Sequence, residues 1–308
     1  MKGERVIRIG TRKSQLAIWQ ARKVQQQLED LGYRTTLVQR SSSGDKNQQT
    51  PLYAMGIVGV FTRTLDMALL QGEIDIAVHS MKDVPTLLPD GIVQAAVMTR
   101  GSFRDLVVTS GPVDFEKPCT IATSSLRRKA QWLHRYPHHR IVNLRGNVNT
   151  RLEKVKTQGW EGAIFAKAGL ERIARLPKHY RELDWMLPAP AQGAIMIAAK
   201  SDHSFVLEAC RQLNDEQTYK TTYVERQFLR ALEGGCSAPI GALAVCKGDE
   251  LLFKGNLFAL DGKRTFSVQI ACPIEDYTSL AERAAQQIFD QGGRTLMREL
   301  QQLSGRQK

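Results

Sequence analysis

The chain has no apolar run approaching the roughly 20 residues that a membrane-spanning helix needs, so no membrane span is expected. It has five cysteines, at positions 119, 210, 236, 246 and 272, and no Cys-x-x-Cys pair. An odd, scattered set argues against a disulfide framework or a zinc site, and no metal is expected. Aromatic residues make up only 7% of the sequence, and there is no Lys/Arg run or RNP-like aromatic motif. Nucleic acid is therefore not the expected partner, although a net charge of +12 calls for some anionic one. No G-x-x-x-x-G-K-[ST] segment is present and no G-x-G-x-x-G follows a strand, which disfavours ATP and dinucleotide chemistry. The first residues move straight into a strand and lack the apolar centre of a signal peptide, so a cytoplasmic location is expected.

What the chain does have is arginine placed at turns. Ser124-Ser125-Leu126-Arg127-Arg128 and Leu144-Arg145-Gly146-Asn147-Val148-Asn149-Thr150-Arg151 each read as the opening of a helix. Cations there meet the positive end of the helix dipole, which is unfavourable by a few tenths to about 1 kcal/mol per charge. An anion would reverse that sign, because guanidinium forks and free backbone N–H groups would converge on it. Gly10-Thr11-Arg12-Lys13-Ser14 repeats the arrangement after the first strand. Any one of these arginines alone reads as solvated surface charge, but three such sites after strands point to a shared anion cleft.

The hydrophobic periodicity predicts a strand at 6–10, a helix at 13–31 and a second strand at 35–39. A polar, glycine-containing loop over 41–59, long enough to be a lid, leads to a helix at 61–70 and a buried strand at 74–78. Strands are then expected at 92–97, 106–109, 120–122, 140–143 and 162–166, with helices at 125–136, 148–157 and 167–174. The run Pro188-Ala189-Pro190-Ala191-Gln192-Gly193 is a rigid connector before an apolar strand at 194–199. The last third changes character: a helix at 218–232, strands at 241–246, 251–259 and 265–271, a hairpin signal at Asp261-Gly262, and two closing helices. The fold class is α/β in two lobes, residues 1–98 with 194–214 and residues 99–193. A small α+β domain over 215–308 follows.

His79-Ser80-Met81-Lys82-Asp83-Val84-Pro85 follows the buried strand, at the strand end where α/β folds bind ligands. Asp83 beside Lys82 can stay ionised and stabilise a developing cation or relay protons. Taken alone it reads more readily as a carboxylate capping the turn before Pro85, and His79 reads as a structural histidine. Cys236 differs from the other cysteines because Gly234-Gly235-Cys236-Ser237-Ala238-Pro239 is a loop that exposes a thiol.

Six ordered motifs carry a resemblance. IGTRKSQLA (9–17), DIAVHSMKDVP (75–85), ATSSLRRKAQ (122–131), LRGNVNTRL (144–152), PAPAQGA (188–194) and LEGGCSAPIGA (232–242) closely resemble the hydroxymethylbilane synthase (porphobilinogen deaminase) family. The resemblance implies two lobes similar to type II periplasmic binding proteins and a third domain. It implies a transferase of porphyrin biosynthesis that joins four porphobilinogen units with loss of ammonia. The chain would grow on a dipyrromethane cofactor bound by thioether to Cys236, with Asp83 as the catalytic carboxylate. Arg12, Ser14, Lys82, Ser125, Arg127, Arg128, Arg145, Arg151 and Arg172 match positions that hold acetate and propionate arms. Ser80, Thr123, Ser124, Gly146 and Asn147 in the same motifs, and Gln192 at the crossover, are expected to join them. The family expectation is a monomer whose partner is the small molecule porphobilinogen. One departure stands out: Ala54 and Val58 occupy positions where many members carry lid lysines. Two rival readings remain, a non-catalytic carboxylate- or phosphate-binding protein on the same two lobes, and a basic nucleic-acid-binding protein.

Overall fold

The computed structural model describes residues 5–41, 61–232 and 238–305, the side chains of residues 304 and 305 excepted. Lobe 1 begins with β1 (Val6–Arg12), α1 (Gln15–Asp30), β2 (Arg34–Arg40), α2 (Arg63–Leu70), β3 (Ile76–Ser80) and β4 (Ile92–Val97). The chain then builds lobe 2 from β5 (Asp105–Val108), β6 (Thr120–Ala122), α3 (Leu126–Arg135), β7 (Arg140–Val142), α4 (Val148–Thr157), β8 (Gly162–Ala166), α5 (Lys167–Arg172) and β9 (Tyr180–Glu182). It returns to lobe 1 with β10 (Ile195–Lys200) and α6 (Ser204–Arg211). The C-terminal domain holds α7 (Glu216–Ala231), β11 (Ile240–Lys247), β12 (Glu250–Phe258), β13 (Thr265–Pro273), α8 (Tyr277–Asp290) and α9 (Gly293–Gly305).

The lobe 1 sheet runs β2-β1-β3-β10-β4 and the lobe 2 sheet β7-β6-β8-β5-β9. In lobe 1, β1 pairs in parallel with β2 and β3, whereas the returning β10 is antiparallel to β3 and β4. Lobe 2 follows the same plan, with β6 parallel to β7 and β8 and with β5 antiparallel to β8 and β9. Both faces of the lobe 1 sheet are covered. Val24 and Leu28 of α1 pack on Ile7, Ile9 and Val78 on one side, and Leu65 and Leu69 of α2 pack on Ala77 and Met196 on the other. Two-sided burial explains why β3 and β10 read as continuous apolar runs rather than alternating ones. The third domain lays α7 and α8 on an antiparallel meander, with Phe228 against Phe253 at its centre.

Two chain crossings join the lobes, and they touch: Met98 N–H donates to Ile195 O and Gly101 N–H to Gly193 O, both at 3.0 Å. Gly193 has φ +90°, and a Cβ there would stand 2.7 Å from the carbonyl oxygens of both Gly101 and Ser102. Only glycine fits this approach.

Several boundaries differ from the sequence reading. β1 runs on to Arg12 because its edge stays hydrogen-bonded to β2 through Arg40, so helix α1 starts at Gln15 with Ser14 as N-cap. β3 covers 76–80 rather than 74–78, which places His79 and Ser80 inside the strand. β9, a three-residue edge strand, carries no strong sequence signal, whereas α6 lies outside the expected elements although Val206, Ala209, Cys210 and Leu213 recur at helical spacing. Part of the expected lid loop, residues 42–59, including Ala54 and Val58, lies outside the described residues, as does Cys236.

Candidate active site

Asp83 ends a single 3₁₀ turn, Met81–Asp83, directly after β3. Met81 N–H donates to Ala194 O and Val84 N–H to Met81 O, each at 3.1 Å, so the turn is pinned to the second crossover. Lys82 and Asp83 are half-buried. Lys82 Nζ donates to Gln192 Oε1 at 3.2 Å. Burial, with the charges of Arg128 and Arg127 against those of Asp83 and Asp105, brings the Lys82 ammonium down to about 8.

On the facing lobe the arginines are held from below by a residue the sequence reading missed. Asp105, at the start of β5, is 0% exposed and lies 2.8 Å from both Arg127 Nη2 and Arg128 Nη2. These arginines are only 4% and 7% exposed, and they also donate to the carbonyls of Leu187 (2.6 Å) and Ile164 (2.9 Å). The two guanidinium groups hold the Asp105 carboxyl far below the usual carboxylate range, against the upward push of burial. The cations at the start of α3 thus already have one carboxylate of the chain's own beside them, in addition to any ligand anion. The signal was there to read, since a charged residue opening the apolar strand Asp105-Leu106-Val107-Val108 must find a buried partner. Gln192, 1% exposed, donates from Nε2 to Asp105 Oδ1 (2.9 Å) and Phe103 O (2.8 Å). Lys82, Gln192 and Asp105 thus form one hydrogen-bonded line from lobe to lobe.

The remaining lobe 2 residues shape the ends of two helices. Ser125 caps α3 by accepting from Arg128 N–H, while Thr123 Oγ1 accepts from Ser125 N–H at 3.3 Å. Ser124 ties the loop before α4, accepting from Leu144 N–H (2.9 Å) and donating to Leu144 O (3.0 Å). Asn147 caps α4 through Thr150 N–H. Gly146 sits at φ +110°, where a Cβ would lie 2.8 Å from Thr150 Cγ2. Its carbonyl accepts from Arg151 Nε at 2.7 Å. Burial lowers the pKa of Arg145, and burial plus the charges of Arg128 and Arg145 brings Arg151 down to about 10. Asp83 opposes that shift, so Arg151 feels the carboxylate across the cleft.

From lobe 1, Ser14 caps α1 through Ala17 N–H, and Ser80 Oγ accepts from Gln20 Nε2 at 2.8 Å. The Arg12 guanidinium lies 4.2 Å from the Phe61 ring centroid and depresses the pKa of buried His79, which falls to about 4, mainly through burial. His79 is therefore neutral near pH 7, in keeping with its structural reading. Arg172 is placed at the end of α5, against the hinge: it donates to Gly193 O at 2.5 Å and lies over Trp19. It lines a cavity of about 670 Å³ with Lys23, Thr99 and Asp215. Burial brings its pKa down to about 10. Among the described residues no cluster of three His, Cys, Asp or Glu side chains could hold a metal, and no helix is long and apolar enough to cross a membrane.

Lys82 and Arg151 feel the charge of Asp83, Lys82, Arg127 and Arg128 feel that of Asp105, and Arg145 adds its charge beside Arg151. That excess of buried positive charge suits a ligand carrying several carboxylates. Comparison with known proteins shows the family. A family model described as porphobilinogen deaminase, dipyromethane cofactor binding domain, matches residues 7–208, and its C-terminal-domain counterpart matches 219–290. Porphobilinogen deaminase from Pelobacter propionicus is 37% identical, covering 97% of this chain and 98% of its own. That from Syntrophotalea carbinolica is 39% identical, covering 93% of each. Among solved structures, the periplasmic VFT2 domain of Bordetella pertussis BvgS aligns with 68% of this chain and 86% of its own, at 13% identity and TM-score 0.42. The name shared by the curated relatives denotes a transferase, hydroxymethylbilane synthase, and by match and by identity along nearly its whole length the chain belongs to the porphobilinogen deaminase family.

Proposed function

We propose that the chain condenses four porphobilinogen units, with loss of ammonia, into linear hydroxymethylbilane, using a dipyrromethane bound by thioether to Cys236 and Asp83 as the catalytic carboxylate. The observation that carries this reading is the chain of cations across the cleft, Lys82 and Arg151 coupled to Asp83 and Arg127 and Arg128 paired with Asp105 at 2.8 Å.

The residues present fit a group bearing acetate and propionate arms. Arg127 Nε and Arg128 Nε are buried without a hydrogen-bond partner among the described residues, and bidentate guanidinium forks match carboxylates. Arg127, Arg128, Arg145, Arg151 and Lys82 would hold the arms, with Arg12, Ser14, Ser80, Thr123, Ser124, Ser125, Gly146, Asn147, Arg172 and Gln192 completing the binding set. When bound, the dipyrromethane supplies the pyrrole carbon from which the product chain starts. Asp83, fixed on its short turn, stabilises the cation left in porphobilinogen when ammonia departs, an electrostatic contribution that needs no reorganisation. The arginines hold the acidic arms so that the reacting carbons meet, which is the proximity contribution.

Three of the other four cysteines are unsuited to be the tether. Burial raises the thiol pKa of Cys119 and Cys272 and brings that of Cys210 to about 12, so these three are poor nucleophiles. A cytoplasmic monomer completes the proposal. Intact-mass measurement of freshly purified protein tests it: an adduct of two pyrrole units is expected in the wild type and absent from Cys236→Ala. An unmodified mass in fully active enzyme would remove the tether.

A further inference from the structure

Helix α7 of the C-terminal domain reaches into both lobes through two consecutive residues. Glu225, 0% exposed, accepts from Arg100 Nη1 (2.7 Å) and from the hinge N–H of Ala191 (2.6 Å). Its neighbour Arg226 turns towards lobe 1. There its guanidinium donates to three backbone carbonyls, from Nη1 to Val84 (2.9 Å) and Met81 (3.3 Å) and from Nη2 to Pro85 (2.6 Å). These carbonyls flank Asp83 on both sides.

We propose that Arg226 is a positioning residue for Asp83, a clamp from the third domain that fixes the backbone on which the carboxylate stands. The inference rests on the reading of Asp83 as the catalytic carboxylate. A single 3₁₀ turn has poor internal hydrogen-bond geometry and little stiffness of its own. After Asp83 the chain passes through extended Val84 (φ −88°, ψ 130°) into Pro85, which has no N–H to donate. Besides the bonds of Met81 N–H and Val84 N–H, the carbonyls of Met81, Val84 and Pro85 hold this stretch, and all three converge on one guanidinium. Arginine suits the task because its donors lie in one rigid plane with two separate terminal nitrogens, whereas a lysine ammonium at that place is a point charge on a flexible stem. Glu225 fixes α7 against the hinge, so the clamp has a firm base. Released, the turn would keep its fold through the bonds to Ala194 and within itself, but Asp83 would wander relative to the arginines of lobe 2.

The test uses holoenzyme carrying Arg226→Gln or Arg226→Lys, each with Asp83 intact and with Asp83→Asn, cofactor loading being verified by intact mass. With Asp83 present, Arg226→Gln is expected to lower kcat by about 10- to 100-fold while KM for porphobilinogen stays within about threefold, the mark of misplacement rather than lost binding. In the Asp83→Asn background the same change should alter the residual rate by less than about threefold, because the two residues act as one unit. Arg226→Lys keeps the charge and serves if the glutamine variant does not fold or load; it should also lose kcat in a manner that depends on Asp83. Unchanged kcat in the loaded Arg226 variants, or equal losses with and without Asp83, overturns the clamp. Normal turnover by Asp83→Asn instead overturns the catalytic reading of Asp83, whatever the Arg226 variants do.

Discussion

Replacing Asp105 by Asn is the sharpest probe of how the site is built. The change keeps the side chain's shape and one carbonyl oxygen but removes the charge that both Arg127 and Arg128 approach to 2.8 Å. Breaking a fully buried ion pair from one side leaves an uncompensated charge and is destabilising by about 3–5 kcal/mol. At about 2.1 cal/mol/K of unfolding entropy per residue, each kcal/mol shifts the melting temperature of a chain this long by roughly 1.5 °C, so a fall of about 5–8 °C is expected. Because the folded-state pKa of Asp105 is depressed, its stabilisation is complete above its unfolded value of about 4 and is lost as pH falls below it. The wild type should therefore lose stability more steeply than Asp105→Asn in acid below that value. A second readout follows from Lys82, whose pKa of about 8 is held up in part by Asp105. If Lys82 titration limits kcat/KM, the alkaline limb should move to lower pH in Asp105→Asn. A melting temperature within about 1 °C of wild type, far inside the shift argued from the buried pair, would refute the claim that Asp105 neutralises the arginine pair.

Other perturbations probe neighbouring groups. Lys82→Arg should move the alkaline limb of kcat/KM upward from about pH 8, because a guanidinium keeps its charge there; an unmoved limb would assign it to another group. His79, neutral when folded with a pKa of about 4, makes stability fall as pH drops from about 6.5 towards 4, by on the order of 3 kcal/mol in all. His79→Leu should flatten the stability profile in that window, and an unchanged slope in chemical denaturation would contradict the burial argument. Gly193→Ala places a Cβ 2.7 Å from two carbonyl oxygens at φ +90°, so a loss of about 2 kcal/mol or more is expected, with impaired cofactor loading. Wild-type melting in that variant would show the crossovers to be looser than described.

The regular elements were legible because local signals agreed with tertiary context. The strands at 92–97, 120–122 and 162–166 and the helix at 148–157 match the bounds expected from the sequence. The helix starts at Gln15, Leu126 and Val148 are marked in sequence by Ser14, Ser125 and Asn147, whose side chains accept the N–H bonds as such caps do. What stayed hidden depends on partners far along the chain. The strand boundary at β3 is set by pairing with β10, more than a hundred residues later, and no window around residue 76 contains that information. The same holds for Glu225 and Arg226, which in sequence look like ordinary polar positions of an amphipathic helix.

Asp105 shows why such residues matter to the site's chemistry. Lys82, Arg127, Arg128, Arg145 and Arg151 with Asp83 as their only counter-charge would repel one another, and burial would add to the penalty. Lys82, already brought to about 8, would spend more of its time neutral, and the apo site would lose the charge it needs to attract a polyanion. Buried Asp105 and half-buried Asp83 keep most of the cations charged while leaving a net positive cleft. A site without Asp105 would need its ligand in order to form; with it, the arginines at the start of α3 can stand ready in the empty protein. This predicts that the loss of stability in Asp105→Asn is larger in protein lacking the dipyrromethane than in loaded protein, since bound carboxylates would take over part of the compensation. Equal losses in the two states, read as melting-temperature differences on paired samples, would show that Asp105 and the ligand do not share the same charges.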